Sequence, residues 1–476
     1  MNVILVVSDT LRRDFLGCYG NSWIHTENID KFAKDAVIFD NAYAGSFPTV
    51  PNRLDLFTGK FTFTYRDWAP LPQNEVVLAE VLSKSGYVTM LIADTPHILK
   101  DGYNFQRGFY GWEWIRGQEN DRHSTDPVDI KFPCDPKKLR NPYDAVVHYL
   151  KNTYWRRHES DYFVAQTMDT AIRWLERNYK QDRFFLYVDT FDPHEPWDPP
   201  RWYVDMYDPG YEGEEIIYPR YGPADYLTEK ELKHMRALYA GEVTLVDRWV
   251  GRLLAKIEDL ELFDNTAIIF TTDHGFYHGE HNLTGKSIII DEKNYHGLAP
   301  LYEEVAHIPL IVRLPDTDKS WRCSTFVQPP DIMPTILDLL RIEDTGTMHG
   351  KSFLPVIKGD VKSIREFAVT SPSIIYGPVA GQRITVTTDE WRLIYAGNPE
   401  EIRGSAVTSI VDGIPREQHP LGEIRSELYN IKEDPQERIN LIDKYPDVAT
   451  DIHSKLLDFL KSTGTQEKYL RFWDRI

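Results

Sequence analysis

Val3-Ile-Leu-Val-Val7, followed at once by Ser8-Asp9-Thr10, is the stretch from which the fold is read. Five consecutive apolar, mostly β-branched residues leave no polar face. That is the pattern of a strand covered on both sides in a parallel sheet. Open α/β sheets hold their ligands beyond the carboxyl ends of such strands, so Asp9 is a candidate site residue as well as a candidate helix cap. Working outward, similar strand patterns occur at 36–39, 88–92, 183–188, 266–270 and 309–312. Helical periodicity fills 77–85, 162–179, 228–260 and 331–340 between them. The alternation predicts an α/β fold with a large doubly wound, mostly parallel sheet over residues 1–365. Residues 100–160 lose the pattern and carry Trp112, Trp114, Tyr154 and Trp155, which reads as an aromatic insertion or lid. Residues 198–226, rich in Pro, Tyr and Asp, read as irregular surface. Short alternating strands and a final helix over 366–476 predict a smaller C-terminal α+β subdomain.

Composition narrows the function classes. The 476-residue chain is 42% hydrophobic, and its 54 basic and 73 acidic residues give a formal charge of −19. A strongly acidic chain lacks the basic footprint of a nucleic-acid or anionic-membrane partner. The three cysteines, Cys18, Cys134 and Cys323, have no metal-ligand or redox spacing. Met1-Asn2 runs straight into the first strand, with no basic segment and no cleavage site, so the expected location is cytoplasmic. A homo-oligomer is left open.

The stretch Ser46-Phe-Pro-Thr-Val-Pro-Asn-Arg-Leu-Asp-Leu-Phe-Thr-Gly-Lys60 carries the chemistry. Pro51 suits a first helical turn and Gly59 the residue just past a helix. Thr49 then stands at a helix start, where backbone N–H groups favour an anion. Arg53, one turn on, offers a fork that matches two oxygens of a phosphate or sulfate. Other reactive types also fall just past predicted strands: His97, then Asp189, Asp192 and His194, then the adjacent pair Asp273-His274. Two carboxylates, an imidazole and a hydroxyl make a hard, oxygen-rich site suited to Ca²⁺, Mg²⁺ or Mn²⁺. A cation beside Thr49 would activate its hydroxyl. Arg53, His194 and either Lys286 or His296 would hold the remaining oxygens and protonate the leaving group.

These residues resemble the sulfatase family of the alkaline-phosphatase superfamily. Val6-Val-Ser-Asp-Thr-Leu-Arg-Arg-Asp14 with Gly17-Cys-Tyr-Gly20 resembles its opening metal-ligand strand. Thr49-Val-Pro-Asn-Arg53 followed by Phe57-Thr-Gly59 is similar to its nucleophile motif. Asp192-Pro-His-Glu-Pro196, Thr272-Asp-His-Gly275 with Gly279-Glu-His281, His296-Gly297 with Leu301-Tyr-Glu-Glu304, and the segment from Glu427 to Leu441 resemble further family signatures. The resemblance implies an alkaline-phosphatase-like fold and metal ligands Asp9, Asp273, His274 and Thr49. It implies Thr49 as nucleophile and Arg53 as its stabiliser. It puts His194 and His296 on the substrate, Lys286 as the alternative match to a family lysine, and His97 as a loose substrate-binding match. Two departures stand out. Thr10 replaces a second family Asp. Thr49 replaces the Cys or Ser that sulfatases oxidise to formylglycine, and its secondary alcohol cannot give that aldehyde. The expectation is therefore a metal-dependent hydrolase of a small phosphate ester or diester. The alternatives are a sulfate-ester hydrolase working without formylglycine and an inactive anion-binding homologue. One divalent ion is expected, with Asp189 or Asp192, His194 and His296 as ligands for a second.

Overall fold

The computed structural model describes residues 1–476 except 291, 292, 316, 318, 319, 376, 378–381, 399–408, 412, 413 and 417–423. The opening run forms strand β1 (Asn2–Ser8), every residue of which is buried. Its side chains alternate between two cores. Ile4 and Val6 join one, while Val3, Leu5 and Val7 join the other. A strand with both faces covered must be apolar throughout, which is why the run has no polar break.

β1 sits inside an eight-stranded sheet. The other strands are β2 (Val37–Ala42), β3 (Val88–Ala93), β4 (Gly111–Trp114), β5 (Phe184–Thr190), β6 (Thr266–Thr271), β7 (Leu310–Arg313) and β8 (Trp321–Val327). The spatial order is β8-β2-β7-β6-β1-β5-β3-β4. Every pairing is parallel except those of β7, which runs antiparallel to β6 and β2. Helices α1 (Thr49–Thr58) and α4 (Ile332–Leu339) cover one face. Helices α2 (Phe163–Asn178) and α3 (Glu229–Asp259) cover the other. α3 starts at a reciprocal cap, in which Thr228 Oγ1 accepts from Glu231 N at 3.3 Å and Glu231 accepts from Thr228 N at 2.9 Å.

A second, antiparallel sheet of β9 (Phe367–Thr370), β10 (Ile384–Thr388), β11 (Trp391–Tyr395) and β12 (Glu427–Asn430) packs with helix α5 (Pro446–Ser462) around Leu393, Leu456 and Trp473. It meets the large sheet at the loop before Thr49. There Phe47 N donates to Ser371 O at 2.9 Å, and Ser371 N donates to Gly45 O at 3.1 Å.

Three sequence expectations change. Residues 111–114 are not part of a lid: they extend the sheet edge as β4, in register with Met90 to Ala93. An edge strand with a half-exposed Trp112 has no alternating pattern to reveal it. The segment 198–226 is irregular but not surface, because Tyr203, Val204, Ile216, Ile217, Tyr218 and Tyr221 enter the core. Its backbone is satisfied locally, with Trp197 N donating to Ile217 O at 2.8 Å and Arg140 N to Tyr218 O at 2.9 Å. β8 was not anticipated, since Trp321, Arg322 and Ser324 are exposed on this outermost strand. Among the described residues no helix is long and apolar enough to cross a membrane.

Candidate active site

The carboxyl ends of β1, β5 and β6 lie side by side and deliver Asp9, Asp189 and Asp273 to one point. Thr10 leaves β1 in a left-handed conformation, φ 61°, which costs a β-branched residue about 1–3 kcal/mol. Three contacts hold it there. Thr10 N donates to Asp273 Oδ1 at 3.0 Å, Thr10 Oγ1 donates to Asp9 Oδ1 at 2.6 Å, and Tyr239 OH donates to Thr10 O at 2.8 Å. Thr10 is thus a bracket between two carboxylates.

α1 starts at Thr49 and ends at Gly59, whose φ of 68° satisfies the helix end. Asp55 fastens both flanks of the helix. It accepts from Ser46 N and Ser46 Oγ at 2.7 Å and from Thr62 N at 2.9 Å. Asn52 Nδ2 donates to Asp273 O at 2.9 Å and sets the helix against the end of β6. Thr49 Oγ1 consequently lies 3.5 Å from His274 Nε2 and 3.4 Å from Lys286 Nζ.

Asp9, Asp273 and His274 form the one cluster of three or more His, Cys, Asp or Glu groups with metal-holding geometry among the described residues, their ligand atoms within 4.8 Å of one another. His274 Nδ1 is engaged with Gly275 O at 2.9 Å, which leaves Nε2 bare. Burial, with Lys286 adding to it, pushes His274 down to about 3 despite the Asp273 charge, so the ring is neutral. Burial would raise the Asp273 carboxyl, but the Arg53 charge, with Lys286 and the Thr10 N–H adding to it, outweighs burial and holds it below the usual range. Asp9 Oδ2 is buried and makes no hydrogen bond, its one charged neighbour being Arg53 Nη1 at 2.9 Å.

Arg53 does not face the open side. Its Nε and Nη2 grip Asp189 at 3.1 and 2.9 Å, and Nη1 reaches Asp273 and, at 2.9 Å, Asp9. The sequence reading aimed this fork at substrate oxygens. The structure spends it on three carboxylates. Asp189 also accepts from Thr95 Oγ1 at 2.6 Å and Tyr187 OH at 2.8 Å. Asp192 accepts from Gln118 Nε2 at 2.5 Å and Val164 N at 3.0 Å. Neither is free to ligate a second ion, and the expected second ligand set does not assemble among the described residues.

Above Thr49 opens a cavity of about 200 Å³ lined by Lys286, His194, His97, His296, Trp68 and Arg140 among others. Lys286 Nζ lies 2.9 Å from His194 Nε2 and 3.3 Å from His274 Nε2. It, rather than His296, reaches Thr49, while His296 stacks on Trp68 with ring centroids 5.9 Å apart. Burial and Lys286 hold His194 well below its usual range, and the same two causes bring His296 to about 3. His97 faces Glu119, its Nε2 3.0 Å from Oε2.

Sequence reasoning missed Trp68, Glu119, Arg140, Glu195, Tyr218 and Tyr221. Glu195 sits inside the Asp192-Pro-His-Glu-Pro196 motif, next to a histidine already singled out, and that adjacency was a usable signal. Nothing periodic marks the others.

The comparisons follow this geometry. A family model described as Sulfatase matches residues 1–342, and one described as N-sulphoglucosamine sulphohydrolase, C-terminal, matches 292–395. An arylsulfatase of Clostridium perfringens is 27% identical over 418 residues, covering 77% of this chain and 80% of the relative. The uncharacterized sulfatase YidJ of Escherichia coli is 26% identical, covering 96% and 87%. The crystal structure of the phosphonate monoester hydrolase of Agrobacterium radiobacter superimposes with a TM-score of 0.71 at 21% identity, covering 97% of this chain and 96% of that one.

Proposed function

Because the chain belongs to the sulfatase family, we propose that it hydrolyses a phosphate ester or diester, with Thr49 as nucleophile and one divalent cation held by Asp9, Asp273 and His274. The observation that carries the reading is Thr49 itself. It is a hydroxyl at a helix start, 3.5 Å from the bare His274 Nε2, and its secondary alcohol cannot become the aldehyde that sulfatases use.

The residues fit a hard cation. The donors are two carboxylates and a neutral imidazole. One carboxylate oxygen, Asp9 Oδ2, makes no hydrogen bond and has only the ion-pair contact of Arg53 Nη1 at 2.9 Å. Asp9, Asp189 and Asp273 bring more negative charge than the one guanidinium among them offsets. When bound there, a divalent ion lowers the pKa of a neighbouring hydroxyl and stabilises charge on the ester oxygens.

The chain's own groups then do the following. Thr49 Oγ1 bonds to phosphorus as the ester P–O bond breaks in line with it, and the leaving group departs with the bonding pair. Lys286 takes the Thr49 proton while passing one of its own to His194 Nε2, 2.9 Å away. His194 can accept because its Nδ1 is engaged with Glu195 O at 2.7 Å, and it gives that proton to the departing oxygen, so the leaving group goes as an alcohol and the ring returns to neutral. Water then displaces Thr49 from phosphorus, which releases phosphate from a monoester, or the remaining monoester from a diester, and restores the hydroxyl. Sulfate-ester hydrolysis is the second reading, favoured by the arylsulfatase relative.

The test compares the parent with Thr49→Ala and Thr49→Ser after metal reconstitution. Substrates are 4-nitrophenyl phosphate, bis(4-nitrophenyl) phosphate and 4-nitrophenyl sulfate. Phosphorus substrates are expected to dominate in the parent, Thr49→Ser to retain activity and Thr49→Ala to lose it. Sulfate turnover far above phosphate turnover selects the second reading. A parent inert on all three selects the inactive homologue. Full activity in Thr49→Ala removes the nucleophile assignment.

A further inference from the structure

Two buried glutamates stand behind the cavity histidines, and one arginine holds both. Arg140 Nη2 donates to Glu119 Oε1 at 3.1 Å and to Glu195 Oε1 at 2.8 Å. The same two oxygens accept the hydroxyls of Tyr218 and Tyr221 respectively. The rings of those tyrosines cover the guanidinium at 4.2 and 4.3 Å. Each glutamate therefore has one oxygen filled twice by donors and the other turned to a histidine. Glu119 Oε2 lies 3.0 Å from His97 Nε2, and Glu195 Oε2 lies 3.1 Å from His194 Nδ1.

The backbone supports this arrangement. Glu119 adopts a left-handed φ of 46°, a conformation that persists in a non-glycine residue only where the surroundings over-determine it. Its loop is fastened on both sides. Gly117 N donates to Asp121 Oδ2 at 2.8 Å, and Asn152 Nδ2 donates to Gly117 O and Asp121 O at 2.8 and 2.7 Å. Gln118 binds Asp192. Burial would raise Glu119, but the contact with His97 and the Arg140 charge outweigh it and hold the carboxyl below the usual range, so the group is ionised.

We infer that Glu119 is a positioning residue: facing Nε2 with an oxygen that can only accept, it fixes the His97 proton there and leaves Nδ1 unprotonated. For His194 the reciprocal is set by the Glu195 backbone carbonyl, 2.7 Å from Nδ1, with the Oε2 carboxylate oxygen beside it; the proton sits on Nδ1 and a bare Nε2 turns toward Lys286. Arg140 ties the two glutamates together. His97 Nδ1 has no hydrogen-bond partner within the protein and its ring lines the cavity. The tautomer decides which hydrogen-bonding groups the ring offers at the cavity wall; its effect on turnover rests on the proposed function, whereas the tautomer does not.

Glu119→Gln gives a directional test. Arg140 and Tyr218 both donate to Oε1, so the amide must place its carbonyl there and its NH₂ against His97 Nε2. That nitrogen then has to accept, and the proton moves to Nδ1. In full-length, metal-reconstituted protein labelled with ¹⁵N-histidine, the His97 signals are assigned by their loss in His97→Gln. The expected result is Nε2 protonated in the parent and Nδ1 protonated in Glu119→Gln. The same tautomer in both proteins, or a protonated Nδ1 in the parent, overturns the proposal. This arm needs no turnover, so it decides the proposal even where every ester tried proves inert, an outcome that counts against the proposed function instead. With an ester the parent turns over, Glu119→Gln is expected to lower kcat/KM about tenfold or more, the scale of one mis-set hydrogen bond. Added to His97→Gln, it is expected to cost less than about threefold further, because the glutamate acts through the histidine. Multiplicative losses overturn the proposal, and a melting temperature close to the parent's confirms that the fold is intact.

Discussion

Arg53→Met removes the guanidinium on which Asp9, Asp189 and Asp273 converge, all four side chains being 0% exposed. Methionine fills much of the same space, so the main loss is charge. Removing one partner of a buried pair costs about 3–5 kcal/mol, because the charges left behind keep their desolvation penalty without compensation. For a chain of this size the entropy of unfolding is roughly 1 kcal/mol per kelvin. The melting point should therefore fall about 3–5 °C. Arg53→Lys restores one charge without the fork and should recover only part of that. Calorimetry at pH 7 in EDTA, then with Mg²⁺ or Mn²⁺, gives the measurement, read at the first transition if there are several. The cation should narrow the gap, since it brings positive charge to Asp9 and Asp273, but should not close it, because Asp189 lies outside the ligand set. A variant that melts within about 1 °C of the parent in EDTA, or a gap that added cation leaves unchanged, would refute this account of Arg53.

Other perturbations follow from the same geometry. Asp9→Asn should lose stoichiometric metal by elemental analysis while folding normally, and parent-like metal content would exclude Asp9 as a ligand. Gly275→Ala should fail to accumulate as soluble protein or melt far lower, because a Cβ there would lie 1.8 Å from Glu304 O; normal expression and melting would refute that. Glu280→Gln tests acid stability. Burial would raise Glu280, but the Arg12 charge, with Nη1 3.0 Å from Oε1, outweighs it and brings the carboxyl to about 2. A depressed carboxyl contributes stability in full above its unfolded value near 4.5 and loses it as pH falls through about 2. With partial solvent screening, the contribution is about 1–2 kcal/mol. The urea midpoint of Glu280→Gln should therefore lie below the parent's at pH 7, and the gap should close between pH 4.5 and 2; a constant gap would sink the linkage.

The large sheet was legible because its central strands are buried on both faces. Val3 to Val7 can only be apolar if both neighbouring layers are helical, and the alternation of Ile4 and Val6 with Val3, Leu5 and Val7 between two cores is that reason made visible. The candidate ligands were legible for a related reason. Strand ends are predictable where strands are, so Asp9 and Asp273-His274 could be placed together from sequence, and they are. The outer strands were not legible. β4 and β8 lie at the sheet's edges, where half the surface meets solvent and polar residues break the run. The cavity's far wall was least legible. Glu119 and Arg140 sit in irregular chain that owes its shape to contacts such as Asn152 with Gly117 and Arg140 with Tyr218, and such contacts leave no period in the sequence.

Arg53 shows where residue type stops being a guide. An arginine one turn after a candidate nucleophile, at a helix start that favours anions, has the chemistry of an oxyanion clamp. Direction decides otherwise. Three strands end in aspartates beside this helix, and a guanidinium within reach of three buried carboxylates gains more by satisfying them than by waiting for a ligand. Lys286 is left as the cation that faces both Thr49 and the cavity. It directly follows the short strand Leu283–Gly285, whose last residue is a glycine with φ of 95°. The two cations thus divide the work by geometry. Arg53 holds the three carboxylates together, and Lys286, with the histidines that Glu119 and Glu195 orient, meets what enters the cavity. Exchanging the two types tests this division. Lys286→Arg places a longer fork where Thr49 and two histidines already crowd the ammonium at 2.9 to 3.4 Å. It should impair turnover while leaving the melting point near the parent's. Arg53→Lys should lower both. If instead the two exchanges gave the same pattern, the cations would not be separable and the division would fall.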